Sequence, residues 1–366
     1  MKTILTLTNK QIGGNMVNNN ISNKIKYIYF ISTIGIVMYH CRWIKDLNIE
    51  TLNTIDNLFL SLYVKTVEQL GVICMVFFFF MSAFWFYKGT ETNKDTIKKW
   101  KKRIKTLLIP FLMWTLLIGI VEVHKGELVI TPSNIFYHLF ETPIAGPLWY
   151  ILGILILQLF APIIVALKKR RKIIIILFTT IIIYISLRTL NIVPHLLAFE
   201  SWWWYNNLIF YIPTYIIGAY IGMYHPNILL TKEYNSKKYT YIGILLLLLV
   251  FLLWNFIPAN SVLAIIYSII DIIGLWFILK PRFCSKEISD FLDCGFYMYA
   301  LHNPVVIPIT KKIIEILLNN KTICGIELVL IKIIQMCMVV IISGIIKKIS
   351  SKVFSTEVNY YLTGGR

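Results

Sequence analysis

The sequence predicts an all-α integral membrane protein, a single bundle of about ten transmembrane helices. Three observations lead there. Of 366 residues, 57% are hydrophobic and only 15% charged, with a mean hydropathy of +0.70, whereas soluble domains carry about a quarter charged residues. The apolar residues fall in long runs, each able to cross the roughly 30 Å hydrocarbon core of a bilayer. The basic residues, 36 against 18 acidic for a net charge of +18, alternate along the chain between rich and poor connecting segments, as positive-inside topology requires. A water-soluble enzyme and a disordered chain are excluded by the same numbers.

Residues 1–26 are polar, rich in Asn and Lys, and lack the apolar centre of a signal peptide, so they read as a cytosolic tail. Apolar runs follow at 27–45, 66–87, 106–124, 147–167, 172–188, 205–224, 239–257, 261–279, 295–310 and 324–346. They define a transmembrane domain over 27–346, with 347–366 as a polar cytosolic tail. With the N-terminus inside, about three quarters of the 36 basic residues fall in inner segments, densest at Lys88 to Lys105 and Lys168 to Lys172. An even number of spans then leaves both termini on the cytoplasmic side of a cell membrane. Two outer segments are long: 125–146, with Pro132, Pro143 and Gly146, and 189–204, which ends in Trp202, Trp203 and Trp204. The triple Trp fits an interfacial belt best and a stacking floor for a sugar or lipid second.

No basic helix interleaved with stacking aromatics lies outside the apolar runs, so no nucleic-acid partner is expected. Cys41, Cys74, Cys284, Cys294, Cys324 and Cys337 show no paired spacing and read as small core residues, with no metal site implied.

Walker, GxSxG, HExxH and GxGxxG patterns are all missing from the sequence. What remains are ionisable side chains in or beside apolar runs, which are costly there and so mark functional positions by default. His40 ends the first run, in ISTIGIVMYHC, near the outer leaflet. His302 lies in MYALHNPVV on the ninth, where Pro304 kinks the helix and frees backbone groups. Read alone, each histidine serves a helix–helix hydrogen bond more often than catalysis. Glu122 and His124 close the third run on different helix faces and read as interface residues. Asp271 and Lys332 lie mid-run, paired or facing a polar cavity. On the inner side, KDTIKKWKKRIKTLLIP is both a topogenic stop and a clamp suited to a multiply phosphorylated ligand.

Taken in order, these segments resemble the acyltransferase 3 family of polytopic membrane O-acyltransferases. The resemblance rests on IGIVMYH up to His40, on GVICMVFFFFMSAF with Ser82 and Ala83, and on KKRIKTLLIPFLMW with Arg103 and Pro110. It continues through GPLWYILGILIL from Pro147 to Tyr150, LIFYIPTYIIGAYIG around Gly218 to Gly222, and FYMYALHNPVV with Tyr299, His302 and Pro304. The chain departs from the family pattern at Tyr29, Thr106 and Leu152, where an arginine is usual.

The resemblance implies transfer of an acyl group, most often acetyl, from cytosolic acyl-CoA to a hydroxyl of an extracytoplasmic surface glycan or glycolipid. His40 would be the catalytic base or a transient acyl carrier. Arg103, Lys102 and Lys105 would bind the donor, and His302 and Glu122 would orient substrate. Acyl-CoA enters as co-substrate, with no bound cofactor. Two other readings stay open from the residues themselves: a non-catalytic membrane protein on the same scaffold, and a polysaccharide or lipid exporter.

Overall fold

The computed structural model describes residues 19–41, 54–141, 143–144, 146–169, 203–230, 236–253, 262–280, 292–319 and 325–364, with isolated positions between them. Every regular element among these is helical. α1 (Asn19–His40) opens the chain and lies along α2 (Thr54–Tyr87). At 34 residues, α2 is about 50 Å long. Around it pack α1, α8 (Trp203–Tyr224), α11 (Val262–Ile278) and α14 (Gly325–Val353). Because neighbours surround its second half, from about residue 70 on, α2 is apolar there on all sides rather than along one stripe. Phe77, Phe79, Phe84 and Phe86 are fully buried in it.

The tightest of these contacts is made without side chains. On α8, Gly218 and Gly222 sit one turn apart against the backbone of Phe80 and Phe84, and a Cβ at Gly222 would fall 2.5 Å from the Phe84 carbonyl oxygen. Small residues at this spacing let helix backbones approach where lipid supplies no hydrophobic drive for association.

α3 (Asn93–Arg103) starts with a capping box: Asp95 N–H donates to Thr92 Oγ1 at 3.3 Å, and Thr92 N–H donates to Asp95 Oδ2 at 2.9 Å. It runs through a π turn (Ile104–Leu108) into α4 (Ile109–His124). Pro110 has no N–H to offer the preceding turn, and a π turn is one way a helix absorbs that loss. After α5 (Pro132–Phe136), a second π turn (Tyr137–Glu141) and a 3-10 turn (Gly146–Leu148) come α6 (Trp149–Leu159) and α7 (Ala161–Lys169). These two bend by 48° at Phe160, just before Pro162. α9 (Asn227–Leu230) is short, and α10 (Lys237–Leu253) pairs with α11. α12 (Gly295–Leu301) widens into a π turn (His302–Val306) and continues as α13 (Ile307–Leu318). α14 is followed by α15 (Thr356–Leu362), tied to α4 by a hydrogen bond from Trp114 Nε1–H to the Leu362 carbonyl at 3.2 Å.

Among the described residues, three helices are long and apolar enough to cross a membrane: Ile55–Tyr87, Asn93–His124 and Gly325–Val353. The bent pair α6–α7 makes a fourth if counted as one span. Outward-facing side chains such as Leu116, Leu245 and Leu330 are more than half exposed, a surface suited to lipid. The fold is therefore an all-helical membrane architecture. Each predicted apolar run has its helix except 172–188, of which only residues 176, 179 and 180 are described; His195, Trp202, Cys284 and Cys324 lie outside the described residues. Cys41, Cys74 and Cys294 are buried free thiols, while Cys337 is free and exposed.

Helix ends differ from the apolar runs. α1 begins at Asn19, inside the region expected as tail, and α14 runs to Val353, beyond 346. α13 takes in Lys311 and Lys312, with Lys311 Nζ 3.8 Å from Glu315. Hydropathy stops where side chains become polar, but helical hydrogen bonding continues through Lys, Asn and Ser at little cost.

Candidate active site

α1, α2, α3, α6 and α12 converge around a cavity of about 690 Å³. Helical periodicity explains which residues line it. Lys26, Tyr29, Phe30 and Thr33 form one face of α1. Phe78, Ser82 and Trp85 form one face of α2, and Lys99, Lys102 and Arg103 form one face of α3. Trp100, between the α3 cations, donates Nε1–H to the Gln158 carbonyl at 2.9 Å and so fixes α3 against α6.

One end of the cavity is cationic. Lys26, Lys99, Lys102 and Arg103 all reach its wall. Lys99 is already engaged at the C-terminal end of α2, where its ammonium donates to the carbonyls of Phe86 (2.5 Å), Trp85 (3.3 Å) and Lys88. This is where a cation best complements the helix dipole. Lys102 and Arg103 follow on the next turn.

The other end is aromatic. Tyr29 stacks on Phe78 with ring centres 5.7 Å apart and planes at 20°, and Tyr150 and Tyr299 pack around the same Phe78. Tyr150 donates its hydroxyl proton to the Phe78 carbonyl at 2.9 Å, so Ser82 Oγ, 2.9 Å away, is the donor to the Tyr150 oxygen. The Tyr299 hydroxyl donates to the Pro147 carbonyl, lashing α12 to the 3-10 turn.

Beyond Tyr299 stands a pair of histidines. His302, one turn further on, is fully buried, and its Nδ1 lies 3.0 Å from the Met298 carbonyl and 2.9 Å from that of Tyr299. Carbonyls only accept, so Nδ1 carries the proton and Nε2 the lone pair. Nε2 has no hydrogen-bond partner among the described residues. Pro304 and Pro308 lack N–H groups; Pro304 lies within the π turn that begins at His302, and Pro308 follows it. The His40 ring lies 5.0 Å from that of His302, tilted by 55°. His40 is half-buried at the end of α1, about 10 Å along the helix from Thr33 of the cavity wall.

The structure thus brings together His40 and His302, which the sequence offered separately, and puts Lys102 and Arg103 in the wall of a cavity that neither histidine lines. Lys105 lies in the π turn, exposed, and is not part of the cavity wall. Glu122 stands apart near the end of α4, in an ion pair with Lys125 at 2.8 Å; its carboxylate holds the Lys125 ammonium above its ordinary pKa. Lys332 donates to Gln335 Oε1 at 3.2 Å, and Gln335 in turn donates to Thr310 at 3.4 Å. The three departures from the family pattern diverge: Tyr29 lines the aromatic end, Thr106 donates to the Lys102 carbonyl at 3.1 Å, and Leu152 is buried in the core. Ser82 and Tyr150 stood in the sequence only as parts of the family pattern, and nothing there joined them with Lys26 at one cavity. Lys26 shares the i, i+3, i+7 face with Tyr29 and Thr33, and that spacing was its available signal.

A membrane helical fold with a cation-lined cavity and, beyond it, a buried histidine against a half-buried one defines the class. The chain belongs to the acyltransferase 3 family: the family's model, described as an acyltransferase domain, matches residues 23–348. No curated protein and no solved structure matches it. Membership makes this a membrane acyltransferase by family, and the family implies an acyl donor and an acceptor.

Proposed function

We propose that the protein transfers an acyl group, acetyl in the first instance, from cytosolic acyl-CoA to a hydroxyl of an extracytoplasmic glycan or glycolipid. One observation carries this reading: a cavity has cations at one end and, at the other, aromatic rings that include Tyr299, one helical turn from His302 and its neighbour His40. The cations suit the phosphates of a coenzyme. The aromatic end suits an acyl-pantetheine arm. In this reading ten spans leave both termini in the cytosol, with His40 toward the outer side and Lys102 and Arg103 toward the inner.

The chemistry asked of His40 is proton transfer. The acceptor hydroxyl loses its proton to the imidazole as its oxygen attacks the thioester carbonyl carbon. The carbon–sulfur bond breaks, and the coenzyme thiolate leaves and takes the proton back. An imidazole titrates near neutrality and serves both steps.

A second reading, a non-catalytic member of the family, is favoured by Tyr29, whose ring stacks on Phe78 where an arginine is usual. The two separate in one assay. Purified protein is given labelled acetyl-CoA or longer acyl donors and a glycan acceptor, alongside His40→Ala and Tyr29→Arg. Transfer by the wild type that vanishes in His40→Ala, with Tyr29→Arg at least as active, supports the enzyme. No transfer by any of the three with any donor supports the non-catalytic protein.

A further inference from the structure

The geometry points to His302 as a positioning residue for His40: we infer that His302 Nε2 accepts the N–H of His40, fixing the tautomer that leaves the other His40 nitrogen as the base. The inference rests on the proposed acyl transfer and assigns within it a role that substrate orientation does not describe. His302 is wholly buried, behind Tyr299 and outside the cavity wall, so it is poorly placed to touch a substrate held there. Its own tautomer is fixed by two carbonyls at 3.0 and 2.9 Å. Its remaining nitrogen carries a buried lone pair with no partner among the described residues, an arrangement that is costly unless something donates to it.

His40 is within reach. A hydrogen bond of about 2.9 Å between two imidazole nitrogens puts the ring centres about 5 Å apart. The observed separation is 5.0 Å, so a change of ring orientation, not of backbone, completes the bond. Three features hold the pair in place. Pro304 and the π turn set the His302 backbone. Tyr299, whose hydroxyl donates to the Pro147 carbonyl, anchors the preceding turn. Gly71 leaves room for the Tyr39 ring beside His40, since a Cβ there would come within 2.6 Å of it.

In the proposed reaction the proton count is simple. Neutral His40 donates one N–H to His302 and takes the acceptor's proton on its other nitrogen. The resulting imidazolium keeps its bond to the neutral His302 lone pair and returns the new proton to the leaving thiolate. His302 neither gains nor loses a proton in the cycle.

Two substitutions divide the His302 ring. His302→Asn retains a donor near Nδ1 and so the bonds to Met298 and Tyr299, but removes the acceptor facing His40. His302→Gln retains an acceptor near Nε2 and removes the local bonds. The inference expects kcat to fall about 10- to 1,000-fold in His302→Asn, with KM for acetyl-CoA unchanged. His302→Gln should hold kcat within a few-fold of wild type. A residue that only braces the helix gives the reverse order, and that result overturns the inference. As a check that needs no His302 variant to fold, 15N-histidine-labelled full-length protein in nanodiscs should show His40, assigned by loss of its signal in His40→Gln, as one neutral tautomer; an even tautomer mixture overturns the inference. If His40→Ala is inactive while His302→Asn behaves as wild type, His302 fails in this role and the proposed function stands. If His40→Ala retains full activity, the role of His40 fails and this inference with it; if the wild type transfers no acyl group from any donor, the proposed function itself fails.

Discussion

Arg103 and Lys102 show how one helical turn turns a topological signal into a binding surface. A run of cations before an apolar stretch orients any membrane helix. On α3 the same run is sorted by period: Lys99, Lys102 and Arg103 face the cavity, whereas Lys101 and Lys105 are exposed and do not line it. Arg103 combines a permanent charge with a planar fork matched to phosphate oxygens. Arg103→Ala should therefore weaken acyl-CoA binding about 10- to 100-fold at low salt, the loss of one charge-assisted contact. The difference should shrink as salt is raised. Binding isotherms with a non-hydrolysable acyl-CoA at low and high ionic strength test this; unchanged low-salt affinity would return the cluster to a purely topogenic role. These cations, His40 and His302 were legible as residues because charged groups stand out in apolar sequence. Their juxtaposition was not legible. Periodicity identifies which side chains share a face of one helix, but it does not say which two helices meet. The His40–His302 approach depends on α1 crossing the π turn after α12, and no spacing within either segment encodes it.

At the scale of elements, the apolar runs located the helices well and their ends poorly. α3 and α4 form one continuous rod because a π turn accommodates Pro110, and hydropathy sees only its apolar half. The α2–α8 contact was partly legible in GAYIG, whose two glycines fall on one helix face. That they press on the backbone of Phe80 and Phe84 required the structure. Gly222→Leu places a branched side chain where a carbonyl oxygen already lies, and a backbone carbonyl cannot move aside as a side-chain tip can. Destabilisation of about 2 kcal/mol or more is expected from such overpacking. It should appear as a lowered thermal midpoint in detergent and a loss of the monodisperse peak in size exclusion. An equivalent Gly119→Leu change, where nothing lies within 4 Å of the added Cβ, should leave both unchanged.

For the whole molecule, the helices set the cavity between a cationic end and an aromatic end with the histidine pair beyond it, and the proposed topology puts the cations and the histidines toward opposite faces of the membrane. Reporter fusions after residue 140 should report an outside location and fusions after 170 an inside one, given the basic density at Lys168 to Lys172. The reversed pattern would put the cations on the side without acyl-CoA. The most direct measurement is sided transfer. Protein is reconstituted into vesicles with its cytosolic face outward and a glycan acceptor sealed in the lumen, and labelled acetyl-CoA is added outside. The wild type should deliver label to the luminal acceptor, and His40→Ala, inserted to the same extent, should deliver about 100- to 10,000-fold less. Equal delivery by His40→Ala, or none by the wild type with any acyl donor, would contradict transfer through this histidine.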